Sequence, residues 1–424
     1  MGVDVLLGLQ WGDEGKGKIV DYLARDYDIV CRFQGGPNAG HTIIIKGVEF
    51  VLHTIPSGVF RENIVNVIGN GVVMDPITFQ KEIDDLAEIG VHLGERLLIA
   101  QKTHLILPTH RMLDAASEQL KGKDKIGSTL KGIGPTYMDK TGRNGLRVGD
   151  IESPQFLDKY NKLKNKHLSL LKMYPEIDFD LEKEEEQWMT ALNTIKKHRI
   201  ISCVYYINEQ LDAGKKILAE GAQGSMLDIN YGTYPYVTSS NTVTAGVCTG
   251  LGVAPSRVGK VIGILKAYST RVGSGPFITE LFDEDGAFLQ KEGHEFGATT
   301  GRPRRCGWLD IPQAHYTCML NGVTEIVLTK IDVMNKLTTI KTADHYVIDG
   351  MKKSSKIPYD IDALDIKAQY KEHNGWQSSL DEIKEFNSLP ENARQYCKFI
   401  EGALKTPITI ISTGPERNAL IVRN

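Results

Sequence analysis

The segment Gly12–Lys18 (GDEGKGK) follows directly on a short apolar run at residues 3–9. A buried strand, a glycine-rich turn and a helix in this order are typical of α/β nucleotide-binding folds, because backbone N–H groups and the helix N-terminus hold phosphate. The segment matches the first part of the pattern G-x-x-x-x-G-K, but Ile19 stands where Ser or Thr would bind Mg²⁺. The sequence therefore predicts a phosphate loop with its metal ion held elsewhere, and Asp13 is the nearest hard oxygen ligand. The alternative is a solvated glycine turn.

Apolar runs recur along the chain with helical patterns between them. Strands are expected at residues 3–9, 28–33, 43–45, 65–68, 97–100, 216–219, 261–266, 325–330 and 408–411. Helices are expected from Lys16 onward, at 78–88 and at 110–120. Because strands that alternate with helices form parallel sheets covered on both faces, we expect an α/β fold. It would have a large, mostly parallel central sheet, flanking helices and a P-loop-like nucleotide-binding arrangement.

Two segments depart from this alternation. Residues 151–213 are charged, poor in glycine and periodic, which predicts a helical lobe. Residues 340–375 are expected to form a hairpin or small subdomain. Because the chain shows no internal repeat or obvious linker, we expect residues 1–424 to form a single domain that carries both parts.

Composition excludes several classes of protein. The 424 residues are 41% apolar and 24% charged, which is ordinary globular composition and excludes wholesale disorder. The net charge of −3 argues against a generally basic nucleic-acid binder. The chain has no apolar window of about 18 residues, which argues against a membrane span. The N-terminus does not resemble a signal peptide, and the six cysteines form no CxxC pair. We therefore expect reduced thiols and a cytoplasmic protein.

A second glycine-rich segment, residues 34–42 (QGGPNAGHT), follows the expected strand at 28–33. His41 lies in it and is a candidate general acid or phosphate-stabilising donor. A histidine on its own is more often structural. Its place at a strand end favours the functional interpretation, because ligands bind at the carboxyl ends of strands in open α/β sheets.

The segment Thr329–Asp332 (TKID) ends the expected strand at 325–330. TKxD after a strand is the pattern with which many GTP-binding proteins recognise guanine, since the carboxylate accepts from guanine N1–H and its exocyclic amine. A surface charge pair is the alternative. With a phosphate loop in the same chain, the motif favours GTP over ATP.

Hydroxyls, glycines and three arginines share the segment Gly297–Arg305 (GATTGRPRR). Arginine binds carboxylate or phosphate in a bidentate manner, so this segment is a candidate anion-binding loop. The alternatives are a solvated basic loop or a nucleic-acid patch. Further polar, glycine-rich stretches suited to a phosphorylated small molecule lie at 126–135, 220–228, 234–241 and 412–414.

Together these motifs resemble the adenylosuccinate synthetase family over nearly the whole chain, from about residue 5 to 417. The matching segments are QWGDEGKGK, GGPNAGHT, LHTIPSG, IGNGVV, KGIGP, GLRVGD, EGAQG, DINYGTYPYVTSSN, GILKAYSTRVGSGPF, EFGATTGRPRRCGWLD, LTKID and ISTGPER. The resemblance implies an enzyme that uses GTP and Mg²⁺ to convert IMP and L-aspartate into adenylosuccinate. It implies that Asp13 removes the N1 proton of IMP while O6 attacks the γ-phosphoryl group, and that His41 donates to the transferring group. Aspartate then displaces phosphate from 6-phosphoryl-IMP.

The resemblance also implies a role for each matching residue. The catalytic residues would be Asp13, His41 and Gln223, and the Mg²⁺ ligands Asp13 and Gly40. GTP would be bound by Gly12, Asp13, Glu14, Gly15, Lys16, Gly17, Lys18, Gly40, His41, Thr42, Arg304, Lys330, Ile331, Asp332, Ser412, Thr413 and Gly414. IMP would be bound by Asp13, Lys16, Asn38, Ala39, Gly40, His41, Thr129, Arg143, Gln223, Thr238 and Arg302. Aspartate would be bound by Ala298, Thr299, Thr300, Gly301, Arg302, Pro303 and Arg304. Arg143 would enter the partner subunit's IMP site, which implies a homodimer.

The chain departs from the family pattern in two places. Pro37 replaces a His or Asn that the family often has, which stiffens the turn and removes one N–H. Leu130 and Lys131 replace a Gly-Arg pair of some bacterial members, so loop mobility could differ. Three other functions stay open at this stage: a GTPase switch, a nucleotide kinase and a nucleic-acid-binding protein.

Overall fold

The computed structural model describes residues 2–45, 47–122, 125–297 and 301–423. Its strands are β1 Val3–Gly8, β2 Ile29–Arg32, β3 His41–Ile45, β4 Val48–Leu52, β5 Val65–Ile68, β6 Val73–Met74, β7 Leu97–Ala100, β8 His104–Leu105, β9 Arg199–Ile201, β10 Ile217–Glu220, β11 Val258–Lys266, β12 Ser269–Arg271, β13 Arg305–Gly307, β14 Leu309–Asp310, β15 Glu325–Thr329, β16 Thr339–Ile348, β17 Lys352–Ser354, β18 Ile366–Asn374, β19 Ile408–Ser412 and β20 Leu420–Val422. Its helices are α1 Lys16–Leu23, α2 Pro76–Glu88, α3 Pro108–Lys121, α4 Ile133–Thr141, α5 Phe156–Leu171, α6 Leu181–Lys196, α7 Cys203–Asp212, α8 Ala245–Val247, α9 Glu284–Glu292, α10 Ile311–Asn321 and α11 Glu391–Leu404.

One large sheet organises the described residues. Its strand order is β20-β19-β15-β11-β1-β10-β2-β5-β7-β9. All neighbours are parallel except the edge strand β20, which runs antiparallel to β19. Strands β2, β7 and β10 are buried along their whole length, as expected of a parallel sheet covered on both faces. The expected mostly parallel α/β sheet is confirmed.

The carboxyl ends of the central strands carry the motifs. The phosphate loop follows β1, the segment with His41 follows β2, and TKID closes β15. Strand β1 lies between β10 and β11. Strands β2, β5, β7 and β9 on the β10 side come first in the chain, and β15, β19 and β20 on the β11 side come after β11. In doubly wound sheets such a reversal opens a crevice that binds ligands.

Two expectations about the sheet need correction. The strand expected at 43–45 forms as β3, but it pairs with β4 in a separate antiparallel hairpin. Residues 151–213 are not helical throughout, because β9 joins the edge of the central sheet beside β7. Helix α7 then places Ile207 and Leu211 in the same core as β1. The short apolar run before α7 is obscured in the sequence by the charged residues around it.

Helices α5 and α6 pack around an aromatic cluster. The Phe156 and Trp188 rings stack at 6.4 Å between centroids, and Tyr160 lies beside them. The indole N–H of Trp188 donates to the Ile106 carbonyl at 2.7 Å, which joins α6 to the segment before α3. The residues 340–375 contain β16, which pairs antiparallel with β17 and β18.

Helix starts follow their local sequence. Helix α2 begins at Pro76, and the preceding Asp75 carboxylate accepts from the Ile77 N–H at 3.2 Å. Helix α10 begins in the same way after Asp310, whose carboxylate accepts from the Gln313 N–H at 3.0 Å. Such caps satisfy backbone donors that the first helical turn leaves unpaired.

Among the described helices, none has both the length and the apolar character needed to cross a membrane.

Burial in the central sheet gives a stability prediction. Ile264 on β11 has 0% exposure, whereas Val422 on the edge strand β20 is 47% exposed. We expect Ile264→Ala to lower the free energy of unfolding by about 2–5 kcal/mol, because it leaves a cavity in the core. Val422→Ala should change it by less than about 0.5 kcal/mol. Urea denaturation of both variants measures this, and equal losses would contradict the burial assigned to β11.

Candidate active site

A cavity of about 580 Å³ opens at the carboxyl edge of the sheet. The lining includes most of the residues expected to bind IMP, and these are Asp13, Lys16, Asn38, Ala39, Gly40, His41, Thr129, Gln223, Thr238 and Arg302. The chain therefore brings together residues that are up to 289 positions apart, from Asp13 to Arg302. A cavity of this size with convergent polar groups is a typical small-molecule site.

The phosphate loop has the backbone that its glycines allow. Gly12, Asp13 and Gly15 have positive φ angles of 89°, 61° and 88°. A positive φ is strained for a residue with a side chain, so Asp13 is held in this turn by its surroundings. Helix α1 then starts at Lys16 with no side-chain cap on its first turn, which leaves N–H groups for an anion.

The Glu14 side chain turns away from the cavity lining. Its carboxylate is fully buried and accepts from the backbone N–H groups of Gln10, at 3.1 Å, and Gly12, at 2.9 Å. Lys16 forms an ion pair with it at 2.7 Å. The Glu14 carboxylate therefore satisfies the Gly12 N–H within the predicted phosphate loop.

Lys18 also lies away from the cavity. Its ammonium donates to Ser412 Oγ at 2.8 Å, to the Gly414 carbonyl at 2.7 Å and to the Ala419 carbonyl at 3.0 Å. Burial lowers the pKa of Lys18 to about 7. Lys18 therefore joins α1 to the loop expected at the guanine base, and its predicted contact with phosphate stays a prediction.

His41 forms a buried pair with Glu220, at the carboxyl end of β10. His41 Nδ1 is hydrogen-bonded to Glu220 Oε1, and Glu220 also accepts from the Ser57 N–H at 2.8 Å and from Ser57 Oγ at 2.6 Å. His41 is 4% exposed and Glu220 is fully buried. His41 Nε2 is buried and has no hydrogen-bond partner among the described residues, although His41 lines the cavity.

This pairing fixes the chemistry that His41 offers. Burial and the neighbouring Arg32 lower the pKa of His41 to about 4, although Glu220 acts in the opposite direction. His41 is therefore neutral at pH 7, with its proton on Nδ1 facing the Glu220 carboxylate and its Nε2 lone pair facing the cavity. A phosphate placed beside Nε2 adds negative charge, which raises the His41 pKa and favours the donating imidazolium form.

Asp13 faces an arginine from the segment Gly297–Arg305. Asp13 Oδ2 and Arg304 Nε form an ion pair at 2.8 Å. Arg302, on the same segment, donates to the Gly127 carbonyl at 3.1 Å and lines the cavity near Thr129. Of the other residues expected at the aspartate site, Gly301 and Pro303 are described, whereas Ala298, Thr299 and Thr300 lie outside the described residues.

Gln223 has the geometry of a ligand-binding side chain. Its backbone has a positive φ of 57°, and its Nε2 donates to Asn38 Oδ1 at 3.1 Å. Its Oε1 is buried without a hydrogen-bond partner among the described residues, and Gln223 lines the cavity. A buried acceptor with no partner costs free energy, and a ligand N–H would satisfy it.

The segment Thr329–Asp332, the guanine motif predicted from the sequence, lies at the end of β15 and outside the cavity lining. Strand β15 pairs with β19, so the residues after Thr329 and Ser412 meet at the same edge of the sheet. Thr329 Oγ1 donates to the Glu14 carbonyl at 2.8 Å, which connects the motif to the phosphate loop. Thr413 Oγ1 is buried and unpaired within the described structure. The motif thus flanks the phosphate loop on the side opposite to His41.

Arg143 is exposed and does not line the cavity of its own chain. It follows α4 in a turn with a positive φ of 64°. Asp139 on α4 holds this region by accepting from His110 Nε2 at 3.0 Å and His167 Nε2 at 2.6 Å. His110 Nδ1 accepts from the Leu107 N–H at 2.9 Å, so His110 carries its proton on Nε2 and the cluster is a hydrogen-bonded support for α4.

Sequence reasoning missed the residues that hold His41 and Arg304. Glu220 and Ser57 lie within EGAQG and LHTIPSG, but nothing in either segment indicates contact with His41, 179 residues from Glu220. Glu295 was missed in the same way. It starts the segment EFGATT and pairs with Arg304 Nη1 at 2.6 Å.

The fold and the cavity define the class of protein: an α/β protein with a small-molecule site at the carboxyl edge of a mostly parallel sheet. Comparison with known proteins identifies the family. The family model for adenylosuccinate synthetase matches residues 5–421. The chain belongs to this family.

Full-length relatives agree. Adenylosuccinate synthetases of Christiangramia forsetii and Flavobacterium johnsoniae are 54% and 53% identical to this chain, over 100% of each sequence. A solved structure of fully ligated adenylosuccinate synthetase from Plasmodium falciparum is 40% identical, with full coverage of both chains and a TM-score of 0.94. The chain is therefore a GTP-dependent ligase of purine biosynthesis that joins L-aspartate to IMP.

The buried pair predicts how Glu220 affects turnover. We expect Glu220→Gln to lower kcat by about 10²–10⁴-fold, because the carboxylate that fixes the His41 proton on Nδ1 is lost. The His41 pKa should fall further, since Glu220 is a group that raises it. Steady-state kinetics and NMR titration of His41 measure both effects.

Ser57→Ala is the matched control for this variant. It removes one hydrogen bond to Glu220 and keeps the carboxylate, so kcat should fall by less than about tenfold. If Glu220→Gln has no greater effect on kcat than Ser57→Ala, the Glu220 charge does not control His41.

Proposed function

We propose that the ligation proceeds in two steps through 6-phosphoryl-IMP. Asp13 removes the N1 proton of IMP, O6 attacks the γ-phosphoryl group of GTP, and GDP leaves. The aspartate amine then attacks C6, and phosphate departs with the former O6 atom. A carboxylate base beside an imidazole and a lysine suits phosphoryl transfer, which depends chiefly on positioning and charge.

One observation carries this proposal. His41 Nε2 and Gln223 Oε1 are buried polar atoms without partners among the described residues, and both belong to side chains that line the cavity together with Asp13. Buried polar atoms are rarely left unpaired in native proteins. We assign them to ligands: His41 Nε2 to the transferring phosphoryl group, and Gln223 to the base of IMP.

Mg²⁺ would be bound by the Asp13 carboxylate and the Gly40 carbonyl. Both residues line the cavity, and an oxygen-only donor set is the one that Mg²⁺ prefers. The ion would neutralise charge on the transferring phosphoryl group. This assignment agrees with Ile19 in place of the Ser or Thr of an ordinary phosphate loop.

GTP would extend from the phosphate loop to the guanine motif, with Lys16, the α1 N-terminus, His41 and Thr42 along its phosphates. For Lys16 to reach phosphate, its ion pair with Glu14 has to open. Asp332 would accept from guanine, next to Lys330, Ile331 and the loop Ser412–Gly414. Burial raises the pKa of Asp332, and Lys330 opposes this shift.

Aspartate would be bound through its carboxylates by the segment Gly297–Arg305. Arg302 lines the cavity, and Arg304 pairs with Asp13. When the aspartate carboxylates bind, Arg304 would pair with the substrate and its ion pair with Asp13 would weaken. This exchange would leave Asp13 free to accept a proton.

The active form would be a homodimer in which Arg143 of each subunit reaches the partner's IMP phosphate. Arg143 is exposed on a turn that Asp139 anchors, which supports such a role. We also place the enzyme in the cytoplasm, because its six cysteines are all unpaired and a reducing compartment keeps them so.

Asp13→Asn tests the base assignment. We expect kcat to fall by about 10²–10⁴-fold, because the amide cannot accept the N1 proton. GTP binding, measured by fluorescence titration, should be largely retained, since the loop backbone and Lys16 are unchanged. Asp26→Asn, on the exposed end of the turn after α1, is the matched control with normal turnover expected. Near-normal activity in Asp13→Asn would show that another group is the base.

Mixed dimers test the shared site. Arg143→Leu and Asp13→Ala subunits should each be nearly inactive alone. A heterodimer of the two should regain activity, because one of its two sites has both native residues. Activity measured on affinity-purified heterodimers decides this, and no recovery there would contradict a shared site.

A further inference from the structure

The described residues on both sides of 298–300 form a closed neck. Phe296 and Pro303 face each other in an antiparallel bridge, and the Gly297 N–H donates to the Arg302 carbonyl at 2.8 Å. At the base of this neck, the Arg304 N–H donates to the Glu295 carbonyl at 2.9 Å. Glu295 and Arg304 are thus adjacent in space at the point where the loop joins the rest of the protein.

The Glu295 side chain adds an ion pair to this backbone contact with Arg304. Glu295 has 0% exposure, and its Oε2 pairs with Arg304 Nη1 at 2.6 Å. Its Oε1 pairs with Lys266 Nζ at 2.9 Å, accepts from the Tyr268 hydroxyl and lies 4.0 Å from Lys330 Nζ. Burial alone would raise the pKa of Glu295, but Lys266, Lys330 and Arg304 outweigh it and lower the pKa to about 2.

These contacts join three parts of the active site. Lys266 ends β11 at the middle of the central sheet, and Lys330 belongs to the guanine motif after β15. Arg304 is the cation that faces Asp13 through its Nε. One buried carboxylate therefore lies between the guanine motif and the arginine that would meet the aspartate substrate.

We propose that Glu295 is a positioning residue that holds Arg304 between Asp13 and the aspartate site and connects it to Lys330 of the guanine motif. This inference rests on the proposed role of Arg304 in binding aspartate. Without the Glu295 charge, Arg304 is drawn toward Asp13 alone, which withdraws it from the aspartate carboxylates. Lys330, whose ammonium donates to the Gly293 carbonyl at 2.7 Å, loses a neighbouring negative charge at 4.0 Å.

The test is a comparison of KM values for the three substrates in Glu295→Gln. The KM for L-aspartate should rise by about tenfold or more, because a charge-assisted hydrogen bond to Arg304 is weakened. The KM for GTP should rise less, by about threefold, and the KM for IMP should stay within about twofold. A merely structural role would lower the active fraction and leave all three KM values unchanged. Glu292→Gln on α9, which loses an exposed contact with Lys336, is the matched control with normal kinetics expected.

Tyr268→Phe provides a second variant, because Glu295→Gln leaves Lys266 buried without its carboxylate and could prevent folding. It removes one hydroxyl from Glu295 and should raise the KM for L-aspartate by about threefold. A KM for L-aspartate within about twofold of wild type in folded Glu295→Gln overturns the proposal. If only Tyr268→Phe folds, the same result in that variant overturns it.

Arg304→Leu separates the two proposals: an unchanged KM for L-aspartate there refutes the role of Arg304 itself.

Discussion

Parallel pairing of β1 with β10 and β11 is the constraint on which the rest of the structure depends. Parallel strands end on the same side, so the loops after β1, β2, β10, β11, β15 and β19 converge at one edge. Every catalytic side chain proposed here lies on such a loop or at such a strand end. The helices and the antiparallel additions cover this sheet and leave its carboxyl edge open.

Buried carboxylates then set the charge distribution at that edge. Glu14, Glu220 and Glu295 each have 0% exposure, and each pairs with a cationic or imidazole group. Their partners are Lys16, His41 and Arg304. Removing a buried charge from its partner costs several kcal/mol, so such groups persist only when they are fully paired. The Glu220 and Glu295 carboxylates thus hold His41 and Arg304 in place, whereas the Glu14 carboxylate holds Lys16 in an ion pair inside the loop.

The sequence predicted the central sheet because its signals are local, whereas the individual cavity residues were implied by the resemblance to the family. Apolar runs between glycine-rich turns indicate strands. Because these strands are parallel, their carboxyl ends lie at the same edge of the sheet. The sequence could not show that His41 contacts Glu220, because 179 residues separate them and only the closed sheet brings them together. The sequence also could not show that the Glu14 side chain turns into the loop, because this depends on the backbone angles of Gly12 and Gly15.

The position of Lys18 was accessible from helix geometry. Successive residues in a helix differ by about 100° around the axis, so Lys16 and Lys18 face nearly opposite directions once α1 begins. The mixed character of residues 151–213 was harder to foresee. A three-residue edge strand such as β9 has too few positions for its period to show among charged helices.

The central claim is that O6 of IMP attacks the γ-phosphoryl group and leaves with the released phosphate. IMP labelled with ¹⁸O at position 6 tests it most directly, because the label follows the bonds that break. If O6 attacks the γ-phosphoryl group, we expect the inorganic phosphate formed with adenylosuccinate to carry the label, as measured by mass spectrometry. Unlabelled phosphate, with the ¹⁸O found in water, would contradict the phosphorylated intermediate and the roles assigned to Asp13 and His41.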